Sequence, residues 1–327
     1  MEATTVRLGV IGCGRWGINH VKTASAMLGQ GLVCVADANP SMESVVRGIA
    51  PSARFTTDPD ELISDPEVNA VVVATPAETH FPIARTCLEH GKHVLVEKPI
   101  TLRSIEAREL VHLAHMNDLR LMVGHILLYH PAVIALKQLI CDDKIGRLQY
   151  IYSNRLNLGA VRSEENILWS FAPHDISIIQ YFTETKPLSV DAFGARYLQP
   201  GIEDTTITIL KYPNNVHAHI FVSWLHPFKE HRVMVNGSEG MLVFEDSAQT
   251  ADKLKLYHKG FHRTEHGLEK FDGDFESIPI ETLQPLTEEH KHFYGCIDAH
   301  TTPLTDGVHA LEVLEILEHA SRRLRND

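Results

Sequence analysis

Cysteine is scarce and scattered in this chain. There are five in 327 residues (Cys13, Cys34, Cys87, Cys141 and Cys296), an odd number with no CxxC spacing. That excludes a disulfide framework and a zinc ribbon, and it fits a cytoplasmic protein whose thiols stay reduced. Long apolar runs are missing. No stretch reaches the ~18 uncharged apolar residues of a membrane span. The N-terminal stretch lacks the basic n-region of a secretory signal peptide. Positive charge is in deficit, with 30 Lys and Arg against 42 Asp and Glu and a net charge of −12. A general nucleic-acid binder needs the opposite balance. Internal repeats, low-complexity tracts and Pro/Gly/Ser-rich linkers are all absent.

What remains is an ordinary globular mixture, 44% hydrophobic and 22% charged, which leaves no room for collagen, coiled coil or disorder. The length suits two domains. Histidine is the one abundant oddity, at 21 residues.

Residues 5–100 alternate short β-branched runs with helical stretches. Strands are expected at 6–11, 32–36, 71–74 and 94–96, and helices at 15–28 and 78–90. Asp58-Pro59-Asp60-Glu61 reads as a helix start, with a capping Asp, Pro at the first helical position and Glu at the third. Fully apolar strands in β-α-β order imply a parallel sheet covered on both faces. The pattern changes near residue 124. A helix near 130–142, a long strand near 147–158 and a helix near 174–183 come first. Strand-like runs then follow at about 188–198, 204–211, 216–225, 230–236, 240–245 and 253–258. Two helices, near 287–300 and 306–325, close the chain. The expected architecture is an α/β Rossmann domain over 1–123 and an α+β domain over 124–327. The second domain carries a large, mostly antiparallel open-faced sheet.

Gly12-Cys13-Gly14-Arg15-Trp16-Gly17 fits G-x-G-x-x-G, placed between a strand and a helix as dinucleotide binding requires. Gly12 permits the tight turn, Gly14 lets the backbone approach a pyrophosphate, and Gly17 lets helix and strand come close. The helix N-terminus offers free N–H groups to phosphate, beside Arg15 and Trp16. Asp37 ends the next strand, twenty residues after Gly17. Its carboxylate suits the adenosine ribose hydroxyls and repels a 2′-phosphate, and Ala38-Asn39-Pro40 offers no cation to offset that. The cofactor expected is therefore NAD rather than NADP.

Three further segments follow this pattern: Ala74-Thr75-Pro76-Ala77-Glu78-Thr79-His80, Gly91-Lys92-His93-Val94-Leu95-Val96-Glu97-Lys98-Pro99, and Trp169-Ser170-Phe171-Ala172-Pro173-His174-Asp175. With the glycine loop, they make the chain resemble the glucose–fructose oxidoreductase/inositol dehydrogenase (Gfo/Idh/MocA) family over essentially its whole length. The resemblance implies an active site between the two domains. It adds Thr75, Pro76 and His80 to the cofactor residues. Glu97 then bonds the nicotinamide-side ribose, and Lys98 is a catalytic lysine beside the substrate hydroxyl, before a typically cis bond to Pro99. His174 is the substrate-side histidine. From the residues alone, Pro173 suits the first turn of a helix, whose positive end favours a neutral His174 imidazole. Many relatives carry Asp or Asn four residues before this histidine; here the position is Ser170, so no carboxylate orients the imidazole from there.

The run from Asn154 through Arg155 and Asn157 to Gly159, then Arg162, Glu165 and Asn166, resembles a subgroup acting on nucleotide sugars. That implies oxidation at C3 of a UDP-linked N-acetyl sugar, giving a 3-oxo product for transamination on the way to lipid A or a surface polysaccharide. Arg155 and Arg162 are candidates for the UDP phosphates, because guanidinium forks match phosphate oxygens. Asn157, Ser170, Tyr129 and His130 are candidates for the substrate pocket, with His125 as a further wall. Oxidation of a free sugar or inositol, and a non-catalytic dinucleotide sensor, are the alternatives. Relatives are commonly homodimers or homotetramers through the exposed sheet. No metal is expected, because His258, His262 and His266 recur every four residues across a strand and loop rather than a helix. The remaining histidines are expected on surface helices and strands.

Overall fold

The structure, a computed structural model, describes residues 5–159 and 161–324. They form two compact units.

The first unit comprises the described residues up to Ile126 together with Gln284–Leu314. Its strands are β1 (Leu8–Ile11), β2 (Leu32–Ala36), β3 (Arg54–Thr56), β4 (Ala70–Val73), β5 (His93–Val96) and β6 (Leu121–Val123). They form one parallel sheet in the order β3-β2-β1-β4-β5-β6. β1, β2 and β4 are buried at every residue, which is why they read as unbroken apolar runs. β3 and β6 are only three residues long and escape detection in the sequence. Helices α1 (Gly17–Leu28), α2 (Met42–Ile49), α3 (Pro59–Ile63), α4 (His80–Glu89) and α5 (Ser104–Met116) connect the strands. α3 starts as its sequence demands: Asp58 Oδ1 accepts from Asp60 N at 2.9 Å, with Pro59 in the first turn. The strand order reverses between β1 and β4, so the loops leaving their carboxyl ends open a crevice.

The chain returns to this unit near its end, a difference from the expected 124–327 domain. Ser/Thr and carboxylate side chains stitch it there. Thr5 donates from N and Oγ1 to Asp298 at the end of α8 (Pro285–Asp298). Val123 N donates to Thr305 O at 2.8 Å, and Thr305 Oγ1 returns a bond to Val123 O at 2.7 Å. The division falls inside α9 (Gly307–Leu324).

The second unit comprises Leu127–Leu283 and the described residues from Glu315. It holds α6 (Pro131–Cys141), β7 (Leu148–Leu158), α7 (Ile167–Thr183) and seven further strands. These are β8 (Ser189–Ala195), β9 (Thr205–Lys211), β10 (His217–Ser223), β11 (Leu225–Gly237), β12 (Met241–Glu245), β13 (Leu254–Thr264) and β14 (Gly267–Ser277). The sheet order is β14-β13-β12-β11-β7-β10-β9-β8, antiparallel except where β7 runs beside β10. Ile151, Ser153 and Arg155 of β7 point to the helical side, where α7 lies. β14 goes unseen in the sequence because its residues are almost all exposed and mostly charged; backbone pairing with β13 holds it. Among the described residues, no helix is long and apolar enough to cross a membrane.

Candidate active site

In the first unit, the loop after β1 and the loop after β4 line a cavity of about 490 Å³. Gly12, Gly14, Arg15, Trp16, Asp37, Thr75 and Pro76 all border it. The glycines have distinct reasons. Gly12 sits at φ +94°, and a Cβ there would meet the Ala74 carbonyl at 2.7 Å. A Cβ on Gly17 would strike the Gly12 carbonyl. At Gly14 a Cβ would meet nothing within 4 Å, so that position opens onto space where a phosphate group fits. The first turn of α1 carries no acidic side chain to compete with an anion. Asp37 is fixed to the glycine loop, its Oδ2 accepting from Cys13 N at 2.5 Å and its Oδ1 from Asn39 N at 2.9 Å. Burial pushes the Cys13 thiol up to about 12, with the Asp37 charge adding to it, so this cysteine is no nucleophile.

Glu97 follows β5, and three groups hold it. Trp16 Nε1 donates to Oε1 at 2.6 Å, His20 Nε2 lies 2.9 Å from the same oxygen, and Lys98 N donates to Oε2 at 3.1 Å. Gly124 makes room, since a Cβ there would stand 2.9 Å from the carboxylate. Burial pushes the Glu97 carboxyl up. The bonds from His20 and Trp16 and the nearby Lys98 cation outweigh it, leaving the group below its usual range. The Lys98–Pro99 bond is cis, as the resemblance implies. His125 is buried in the same unit, its ring edge-on to His309 at 5.5 Å between centroids. His80 is placed differently from its expected cofactor role. Its ring nitrogens lie 2.7 Å from Pro99 O and 2.9 Å from Thr75 O, so it braces two loops and has no nitrogen left for a ligand.

In the second unit α7 starts at Ile167, with Asn166 as its cap: Oδ1 accepts from Trp169 N at 3.2 Å. Pro173 therefore lies inside the helix, and His174 is not in the first turn. The helix-dipole argument for a neutral His174 falls with that. Ser170 stands one turn before His174 on the same helix face, and it is buried.

Arg155 is the clearest correction. Its guanidinium is buried and forked onto buried Asp175, with Nε to Oδ2 at 2.9 Å and Nη2 to Oδ1 at 3.0 Å. Ser153 Oγ adds a third bond to that carboxylate at 2.6 Å. A fork already closed on a carboxylate is not open to phosphate. Arg162 is exposed and faces Glu165 at 3.2 Å and Glu164 at 3.6 Å. Asn157 Oδ1 is buried with no hydrogen-bond partner among the described residues, an acceptor suited to a hydroxyl donor. His130 caps α6, its Nδ1 accepting from Ala132 N at 3.1 Å, and its ring lies against Phe244. Tyr129 is buried. Among the described residues, no group of three or more His, Cys, Asp or Glu is placed to hold a metal ion.

Comparison with known proteins agrees with this geometry. A family model described as an oxidoreductase family with an NAD-binding Rossmann fold matches residues 6–125. The GFO/IDH/MocA C-terminal domain matches residues 133–243. Inositol 2-dehydrogenase 2 of Saccharopolyspora erythraea is 31% identical over 229 residues, 67% of each chain. The chain belongs to the Gfo/Idh/MocA oxidoreductase family. Its cofactor is NAD. The family is one of NAD-dependent sugar and polyol dehydrogenases among the relatives found. UDP-N-acetylglucosamine 3-dehydrogenase of Acidithiobacillus ferrooxidans is 29% identical over 315 residues, 94% of each chain. The solved structure of that dehydrogenase matches with a TM-score of 0.85 at 26% identity, covering 98% of each chain.

Proposed function

We propose that the protein oxidises a sugar hydroxyl to a ketone, at C3 of a UDP-linked N-acetyl sugar. The observation that carries this reading is the likeness to a UDP-N-acetylglucosamine 3-dehydrogenase along almost the whole of both chains. Gly12, Gly14, Arg15, Trp16, Gly17, Thr75 and Pro76 hold the phosphate region of NAD, Asp37 the adenosine ribose, and Glu97 the nicotinamide ribose. Bound NAD supplies a two-electron hydride acceptor. Lys98 and His174 serve the proton that leaves the substrate hydroxyl: His174 accepts it, and the Lys98 cation steadies the developing alkoxide. Asn157 and Ser170 bind substrate hydroxyls. With Arg155 closed onto Asp175, Arg162 is the remaining arginine for the UDP phosphates.

That closed pair gives the second reading its support. A free sugar or inositol needs no phosphate fork, and inositol dehydrogenases are among the relatives. The two readings separate in a thermal-shift experiment with NADH present. UDP that binds the folded protein should raise Tm by an amount that grows with the logarithm of its concentration above Kd. A rise with myo-inositol and none with UDP favours the second reading.

We also propose that the chain works as a homodimer or homotetramer through the open face of its eight-stranded sheet. Phe193 and Ile207 are exposed on paired strands of that sheet. Light scattering that finds a monomer at micromolar concentration contradicts this.

A further inference from the structure

Glu97 is one end of a hydrogen-bonded chain that enters the core of the first unit. His20 Nε2 meets Glu97 Oε1 at 2.9 Å, and His20 Nδ1 meets His290 Nε2 at 2.8 Å. His290 Nδ1 meets the Tyr294 hydroxyl at 2.7 Å. His20 and His290 are fully buried, and Tyr294 nearly so. α1 supplies His20; α8 supplies His290 and, one turn on, Tyr294.

The donors have a consistent direction. An ionised Glu97 has only acceptors, so His20 Nε2–H donates to it. A neutral imidazole carries one N–H, so His20 Nδ1 accepts, and His290 Nε2–H is its donor. His290 Nδ1 accepts in turn, and the Tyr294 O–H donates. With both imidazoles neutral, every polar atom from Glu97 to Tyr294 has a partner, and every donor points toward Glu97. Beside His290 stands Glu289, whose two carboxyl oxygens are buried with no partner among the described residues. Burial, and then the charge of Glu97, push its carboxyl well above the usual range. Of these two carboxyl groups, Glu97 is therefore the one whose ionised form its surroundings favour.

We propose that His20, His290 and Tyr294 are positioning residues that hold Glu97 as a fixed acceptor for the ribose hydroxyls of NAD. Helix α8, nearly 200 residues further along the chain, thereby takes part in cofactor binding. The proposal rests on the reading of Glu97 as a ribose ligand. Fixing an acceptor before the ligand arrives removes an ordering cost that a free carboxylate would carry.

A double-mutant cycle on NADH affinity in the full chain tests it. Glu97→Gln should weaken binding roughly tenfold, the scale of a lost charge-assisted hydrogen bond. His290→Phe should weaken it roughly three- to tenfold in the native background and less than about twofold in the Glu97→Gln background. Tyr294→Phe keeps the ring, guards against misfolding, and should act in the same direction more weakly. Nitrogen-15 spectra of histidine-labelled protein give a second readout. His290 should show an unprotonated Nδ1, and its signals should move in Glu97→Gln although it does not touch Glu97. Equal weakening in both backgrounds, or no effect of His290→Phe, overturns the proposal. So do His290 signals that ignore Glu97→Gln. If those signals do move but Glu97→Gln binds NADH as the native protein does, the chain stands, the ribose reading of Glu97 fails, and the positioning proposal is overturned through its premise.

Discussion

Arg155 grips Asp175 with two bonds, at 2.9 and 3.0 Å, where β7 meets α7 inside the second unit. Removing one partner of such a buried pair strands the other charge, which costs about 3–5 kcal/mol. Arg155→Ala should therefore lower unfolding stability by about that much in urea titration. Arg155→Ala combined with Asp175→Ala should lose less than the two single losses together. A single variant as stable as the native protein contradicts the pairing.

Lys98 and His174 carry the proposed proton chemistry. Alanine at either position should lower kcat about 10²–10⁴-fold, the usual contribution of a positioned acid or base. NADH affinity should stay near native, which fluorescence titration measures. Native kcat in both variants removes the two residues from the mechanism.

Asp37 should decide between NAD and NADP. Asp37→Ala removes an acceptor from the ribose and a like charge from the place where a 2′-phosphate would sit. The ratio of kcat/KM for NAD over NADP should fall at least about tenfold, the scale of one charge-assisted hydrogen bond. The glycine loop also loses its anchor at Cys13 N, so affinity for both cofactors should drop. An unchanged ratio places the adenosine ribose elsewhere.

Stability should fall as solutions turn acidic. Burial pushes His93, His231 and His309 each down to about 4, and holds His125 and His290 well below the usual range. Such groups are neutral when folded but protonate near pH ~6.5 when unfolded. They stabilise the fold above that pH, and the contribution drains away as pH falls from about 6.5 toward 4. Glu289 has the opposite sign. Its raised folded value favours the fold at low pH, and that advantage is lost as pH rises above its unfolded value of ~4.5. Glu289→Gln should thus gain stability over native protein at pH 8 and lose that gain toward pH 4.5. Urea midpoints at several pH values check both signs; a flat native profile contradicts the first.

The sequence shows the first unit's sheet because β1, β2 and β4 are covered on both faces and so are apolar throughout. The glycine loop and Asp37 are legible because a tight backbone approach leaves few residue types free to serve. Side-chain partners across the fold are not legible in the same way. Arg155 reads as a phosphate fork until α7 brings Asp175 against it. His20 and His290 lie 270 residues apart, and no local spacing joins them. Of the histidines expected on surfaces, His20 and His290 are instead buried in the core. Pro173 misleads about the start of α7, because a proline inside a helix looks locally like one that opens it.

The central claim concerns the substrate, and NADH absorbance tests it most directly. Purified protein is mixed with NAD and, in separate cells, UDP-N-acetylglucosamine, its uronate, dTDP-sugars, glucose and myo-inositol. The expected result is NADH formation with UDP-N-acetylglucosamine or its uronate at a kcat/KM well above that for glucose or myo-inositol, with a 3-oxo nucleotide sugar as product. Turnover of myo-inositol or glucose alone, with the nucleotide sugars inert, contradicts it.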